Sequence, residues 1–394
     1  MAQAVPTQQR PPLWRDVRVL RLVAQVAFVA VVAIVLRELF LNADFNLSRR
    51  GRDLSFDFLR TRAGFGIKEH IISYTSNQSL LRAFLVAATN SMFVAGVGIV
   101  LTTVLGIFIG IARLSTNWLV RKMAQAYVEV FRNTPLLVQV IFWYSGVILT
   151  IPRIQDSVSL FGVVFVSNRG AALPGIEGGA DFSVWLLFAL AGIVAAAVVR
   201  RYRTRVHDET GRPHYRFLFG TGAFFLVAVT AYLLLGDPFA IQAPEQGVRN
   251  YIGGTQISPE FVGIIIALVL YTAAFIGEIV RGSILAVSKG QKEAAEALGL
   301  RPGQQLRLVV LPQAMRIAIP PINNQYLNLW KNTSLGFAIF FPELINVTGT
   351  IVTQGGAELQ VFSMVVLTYL GISLLISLVM NIVNRAVALR GAKL

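Results

Sequence analysis

The chain has 394 residues, of which 55% are apolar and 14% charged, with a mean hydropathy of +0.64. These values lie outside the range of soluble domains and within that of membrane proteins. The formal charge of +15 would suit a nucleic-acid partner, but 23 of the 35 basic residues fall in segments expected on the cytoplasmic side of a membrane, which removes the need for one. Cysteine is absent, so disulfides, thiolate metal sites and cysteine nucleophiles are excluded.

Residues 1–12 are rich in Gln and Pro and are expected to form a disordered tail. Beyond them, apolar stretches long enough to cross a hydrocarbon core, roughly 17 to 25 helical residues each, predict eight spans. The first covers about 20–36, behind Arg15, Arg18 and Arg21; the second about 88–114; the third about 136–151. The fourth and fifth, about 183–199 and 217–235, flank the basic stretch "RRYRTRVHDETGRPHYR". The last three cover about 261–285, 317–341 and 361–383.

With the N-terminus inside, the external segments hold 11 basic residues and Lys331 lies within a span. The positive-inside rule therefore favours eight spans with both termini cytoplasmic. The external segment 37–82 departs from the rule, carrying 8 of those 11. The first span is short enough to suggest a cleaved signal peptide, but no small-x-small cleavage site comes after it, which favours a retained anchor.

The chain divides into a cytoplasmic tail (1–18), a first span with its external loop (19–86), a core block (87–151), a two-span segment (152–259), a second core block (260–386) and a tail (387–394). Two spans can be inserted without inverting the orientation of the downstream helices, so 152–259 reads as an insertion into a five-span core.

A short polar helix is expected at 289–298, between the sixth and seventh spans. Ser288 and Gln291 fit a capping box, Gly299 suits a left-handed C-terminal position, and Pro302 blocks continuation. Ala294, Ala297 and Leu298 share one face at three- and four-residue spacing, a low surface for a partner or simply the face of a solvated loop helix.

"EAAEALGL" followed by "QQLRLVVLPQA" resembles the EAA signature of permease subunits in ATP-binding-cassette (ABC) importers. "FRNTPLLVQVIFWY" (131–144), "YTAAFIGEIVRGSI" (271–284) and "IPPINNQYLNLWKNTSL" (319–335) look like the polar amino acid branch of that family. The extended N-terminus and the insertion are most similar to the longer permease of general L-amino acid importers.

The resemblance implies an all-α fold with a type I permease core in a bacterial inner membrane. It makes 289–298 a coupling helix, with Glu293, Ala294, Ala295, Ala297, Leu298 and Gly299 docking on an ATPase. The implied partners are two ATPase subunits that hold ATP and Mg, a second homologous permease, an external substrate-binding protein, an amino acid substrate and lipid. No cofactor is expected on this chain.

Charged and amide side chains within spans are costly, which directs attention to the seventh. Asn324, Asn328 and Lys331 succeed each other at four- and three-residue spacing, with Asn332 and Thr333 adjoining, and form a stripe that suits either a pathway or interhelical hydrogen bonding with Lys331 snorkelling. Gln139 is a second pathway candidate, Arg132 an anchor at the inner end of its span, and Glu278 with Arg281 an ion pair or a gate.

Gly106 and Gly110 are spaced for close helix packing. There is no Gly-Lys dipeptide and hence no phosphate-binding P-loop, while His70, His207 and His214 are too scattered for a metal site. A carrier driven by an ion gradient is the competing function, with Glu129, Glu278 and Glu343 as its candidate carboxylates. A membrane enzyme lacks a visible nucleophile and base.

Overall fold

The structure, a computed structural model, describes Trp14 and residues 16–49, 54–210, 215–247, 250–355 and 357–387. The expected disordered tail, His214 and residues 388–394 lie outside the described residues. Among those described, six helices are long and apolar enough to cross a membrane, or eight if each of two bent helix pairs is one span.

Helix α1 (Val17–Arg49) continues well past the expected first span. Its 33 residues extend about 50 Å at 1.5 Å each. Its most apolar window buries nothing against the rest of the described chain.

Helix α2 (Leu80–Ala112) starts at Ser79, whose hydroxyl accepts from the Arg82 N–H. Helix α3 (Trp118–Asn133) starts at Asn117, whose side chain accepts from the Leu119 and Val120 N–H groups. Hydropathy assigns the α3 residues to a cytoplasmic loop, because their charges spoil them as a span. The apolar residues nevertheless recur with helical period, which is what an amphipathic helix needs. Pro135 then introduces α4 (Leu136–Ile141), which continues through wide π-type turns at Phe142–Val147 and tight turns to Thr150. The α3 and α4 axes differ by 105°, so the expected third span is the second arm of a bent pair.

The insertion departs most from expectation. The segments on either side of its two helices contain short strands, which an all-α fold does not include: β1 (Val158–Leu160), β2 (Val164–Ser167), β3 (Gly170–Leu173) and β4 (Gly175–Gly178). After helices α5 (Phe182–Thr210) and α6 (Arg216–Leu235) come β5 (Phe239–Gln242), β6 (Glu245–Gln246), β7 (Tyr251–Ile252) and β8 (Thr255–Ile257). Strands β1, β2, β3 and β8 form one antiparallel sheet, with Val158 opposite Val166, Phe165 opposite Ala172 and Ala171 opposite Ile257. Strand β8 therefore ties the start of the insertion to its end, just before α7. Strands β4 with β5 and β6 with β7 form two further pairs, and α5 and α6 pack chiefly on each other.

Helix α7 (Pro259–Leu285) is the centre of the fold: 56% of its most apolar window is buried, against α2, α3, α4 and α10. Gly106 and Gly110 allow the α2–α7 approach. A Cβ at Gly106 would lie 2.6 Å from Ile276 Cγ2, and one at Gly110 would lie 2.7 Å from Val280 Cβ and 2.8 Å from the Gly277 carbonyl.

Helix α8 (Lys289–Ala297) and the single turn α9 (Pro302–Gln305) lead through π-type turns at Leu306–Val310 into α10 (Leu311–Asn332). Tight turns at Thr333–Ile339 and a left-handed Phe340 come next, and α11 (Leu344–Gly355) departs at 57°. Helix α12 (Glu358–Val387) packs on α10 and α11. The expected seventh span is thus the first arm of a second bent pair. Asn90 fixes that corner: its side-chain amide donates to the Pro342 carbonyl at 2.9 Å and to the Glu69 carbonyl at 2.8 Å.

Candidate functional site: the α10 stripe and helix α8

One face of α10 is committed to packing. Trp330 is fully buried and donates from Nε1 to the Tyr369 carbonyl on α12 at 3.1 Å, while the Tyr326 hydroxyl pairs with Thr103 Oγ1 on α2 at 2.7 Å. These contacts fix the rotation of the helix. Asn324, Asn328 and Lys331 consequently point away from the chain's own core and are exposed. Asn332 is half-buried beside them. Thr333 is fully buried, with its hydroxyl donating to the Trp330 carbonyl at 2.8 Å, so it belongs to the corner below the stripe rather than to the stripe.

Gln139 does not join this surface. It is 4% exposed and its amide donates to the Phe131 carbonyl at 2.9 Å and the Thr134 carbonyl at 3.0 Å, supplying a donor to backbone groups that the α3–α4 break leaves without helical partners. The structure places it at the α3–α4 joint. Arg132 sits at the same joint, its guanidinium 5.0 Å from the centre of the Phe275 ring of α7.

Glu278 and Arg281 form the ion pair expected of them, with Arg281 Nε 2.8 Å from Glu278 Oε1. A third member, Arg113, escaped sequence reasoning: its Nη2 lies 3.1 Å from Glu278 Oε2. It caps the end of α2 and stands 165 residues from its partner, a separation that no local pattern reveals. The carboxylate therefore clamps the C-terminal end of α2 to the C-terminal end of α7, close to where α8 begins.

Helix α8 starts where expected, but without the capping box. The Ser288 side chain makes no capping bond, and the Gln291 side-chain carbonyl instead accepts from Gln313 Nε2 on α10 at 3.2 Å. The helix is thus held at its start by a tertiary contact. Its end takes the expected form: Gly299 has φ +73°, its N–H donates to the Glu296 carbonyl at 2.8 Å, and the Leu300 N–H donates to the Ala295 carbonyl at 3.1 Å. That pair of bonds is a Schellman motif.

Ala295 is buried and faces the chain, whereas Glu293, Ala294, Ala297, Leu298 and Gly299 are exposed, Leu298 to 80%. Val287, Val310 and Ala314 form a small buried cluster with Ile284 behind the helix. These residues join the end of α7 to the start of α10.

The other carboxylates proposed for ion coupling lie elsewhere. Glu129 accepts from Gln125 Nε2 at 2.7 Å on α3. Glu343 is fully buried at the start of α11, accepting from the Ile345 N–H at 2.8 Å and the Asn346 N–H at 2.7 Å. The α10 sequence contains no acidic residue.

In the segment that precedes α2, burial pushes Glu69 above the usual carboxylate range, and a hydrogen bond from Ser258 offsets only part of that effect. Because the folded value lies above the ordinary 4.5, the folded state holds the extra proton. Stability therefore falls as pH rises from about 4.5 through the raised value. Glu69→Gln is expected to raise the Tm of the detergent-purified protein at pH 7 and to leave it nearly unchanged at pH 4.5. A lower Tm at pH 7 would show that the ionised carboxylate stabilises the loop.

Comparison with known proteins gives this arrangement its context. Residues 189–390 match the family described as binding-protein-dependent transport system inner membrane component. The chain is similar to the general L-amino acid transport system permease protein AapQ of Rhizobium johnstonii, with 42% identity over 88% of this chain and 87% of the relative. It is 40% identical to the putative amino-acid ABC transporter permease protein YhdX of Escherichia coli, covering 92% of each chain. It is 37% identical to the glutamate/glutamine/aspartate/asparagine transport system permease protein BztB of Rhodobacter capsulatus, covering 89% of each.

Proposed function

The chain belongs to the binding-protein-dependent transport system inner membrane component family, and on that premise we propose that it is the permease subunit of an ATP-driven importer of polar or general L-amino acids. One observation carries the reading at the level of residues: α10 turns Asn324, Asn328 and Lys331 outward and packs its opposite face on α2 and α12. A polar stripe that this chain leaves open on a membrane helix calls for a second wall, because amides and an ammonium facing lipid cost several kcal/mol. A second, homologous permease supplies that wall in this proposal, as a heterodimer rather than a homodimer.

The stripe's chemistry suits the substrate class. Lys331 offers charge-assisted hydrogen bonds to a carboxylate, and the two amides supply both donors and acceptors for the rest of an amino acid. The absence of acidic residues on α10 avoids repelling a carboxylate.

ATP and Mg are held by two ATPase subunits outside the membrane, and an external binding protein delivers the substrate. Both termini are cytoplasmic, which puts α8 on the ATPase side. Nucleotide-driven closure of the ATPase pair displaces α8 through Ala294, Ala297 and Leu298. The cluster of Val287, Val310 and Ala314 passes that displacement to α7 and α10, and the Glu278 clamp carries α2 with them. Transport is then an alternation between two states biased by nucleotide, and this chain catalyses no reaction.

Asn328→Ala and Lys331→Met test the stripe. Each is expected to lower ATP-driven uptake of labelled amino acids into proteoliposomes by roughly 10-fold or more, the equivalent of one lost charge-assisted or amide hydrogen bond. The amount of ATPase that co-purifies should not change. Unaltered uptake kinetics in both variants would return the stripe to packing against a neighbour, and uptake that proceeds without ATP on an imposed ion gradient would overturn the importer reading itself.

A further inference from the structure

The facing ends of α5 and α6 hold a cluster of arginines that the transport reading does not use. Residues 200–216 contain six arginines and two acidic residues. Three of the arginines are stacked on the first turn of α6. Arg200 lies 4.6 Å and Arg216 5.3 Å from the centre of the Phe217 ring, and Arg203 lies 4.3 Å from that of Phe219.

The stack is built into the hairpin. A Cβ at Gly220 would lie 2.4 Å from Arg200 Cγ and 2.8 Å from its Cδ, so the missing side chain of Gly220 makes room for the arginine stem. Arg216 Nε is buried without a hydrogen-bond partner, and neither Arg200 nor Arg216 is ion-paired among the described residues. Tyr215 supplies no side-chain cap to α6, which leaves the positive end of that helix beside the cluster.

We infer that this cluster binds the headgroup of an anionic phospholipid in the cytoplasmic leaflet. Two guanidiniums sharing one ring repel each other, and a phosphate between them relieves that repulsion while accepting their hydrogen bonds. The flank decides between a lipid and a free anion. Val198 and Leu218 stand exposed beside the arginines, as do Val194 and Leu187 further along α5, giving acyl chains an apolar surface continuous with the headgroup site. Helices α5 and α6 pack chiefly on each other, so lipid can reach them.

The lack of native cysteines makes the test direct. The full chain carrying Tyr202→Cys, or Leu234→Cys at the far end of α6, is labelled with a donor dye. Each is reconstituted into phosphatidylcholine vesicles that contain a trace of headgroup-labelled phosphatidylglycerol or of headgroup-labelled phosphatidylcholine. Energy transfer from position 202 should favour phosphatidylglycerol, and transfer from 234 should show no preference. R200Q/R203Q/R216Q should weaken the preference by at least about 10-fold, given roughly five-fold per basic residue near a charged surface. The corresponding triple lysine variant should keep most of it.

Equal transfer to both tracers from position 202 in the otherwise unaltered chain overturns the proposal, and that comparison does not depend on whether the glutamine variant folds. A preference that survives the glutamine substitutions overturns it too. Displacement of the tracer by inorganic phosphate, at an ionic strength where sodium chloride leaves it bound, would assign the cluster to a free anion. Displacement by a co-purified ATPase subunit would assign it to an acidic protein surface.

Discussion

Gly299→Val is expected to abolish ATP-driven uptake while leaving the protein inserted in the membrane. The backbone at this position has φ +73°, where a β-branched side chain meets its own peptide group, at a cost of at least about 1 to 2 kcal/mol. Nothing lies within 4 Å of a Cβ built there, so the penalty is conformational and does not arise from a clash. Relief requires breaking the Gly299 to Glu296 and Leu300 to Ala295 hydrogen bonds, which would unwind the end of α8 and displace Leu298 from the exposed surface.

Gly299→Asn, which tolerates the left-handed region, should retain a substantial fraction of uptake. Uptake into proteoliposomes and co-purification of the ATPase are the two measurements. Normal values for both in the valine variant would remove α8 from the coupling interface.

Gly110→Leu is expected to have the largest effect on stability. Its Cβ alone would fall 2.7 Å from Val280 and 2.8 Å from the Gly277 carbonyl, a distance that only a separation of α2 from α7 can relieve. Overpacking of this kind costs typically about 1 to 3 kcal/mol and more where backbone is the obstacle. The same end of α2 carries Arg113, so parting the helices also breaks its bond to Glu278 and leaves a half-buried charge less well paired.

A fall in Tm of the detergent-purified protein, with loss of monodispersity, is the expected readout. Gly96→Ala on the same helix is the control. Nothing lies within 4 Å of its Cβ, and alanine favours a helix by up to about 1 kcal/mol. Equal Tm values for the two variants would show that the α2–α7 contact is not as tight as the distances indicate.

Much of the membrane architecture is readable from hydropathy alone, because each crossing must supply its own apolar length. The ends of α5, α6, α7 and α12 fall close to the expected spans or extend them into flanking polar turns. The bends are not readable in the same way. Pro320 and Pro321 stand inside an unbroken α10, while the break falls beyond Ile339, at Pro342, so proline in the sequence does not by itself say where the helix bends. It is fixed there by contacts distant in sequence: Asn90 on the Pro342 carbonyl and Ser91 Oγ on the Leu344 N–H.

The polar residues divide in the same manner. The spacing of Asn324, Asn328 and Lys331 already made them one face, since helical period is a local property. Gln139 was equally visible as a buried amide, yet its partners depend on a 105° bend that composition does not encode.

Local chemistry thus accounts for the membrane class, the positions of the apolar crossings, the left-handed end of α8 at Gly299 and the grouping of the α10 stripe. Which way that stripe faces, which arginine completes the Glu278 clamp, and that Gln313 rather than Ser288 holds the start of α8 follow from the packed fold. Each of those depends on the rotation and distance of helices far apart in the chain. Those quantities are set by side-chain packing, as at Trp330 on α12 and Gly110 on α7, and no periodicity along one segment records them.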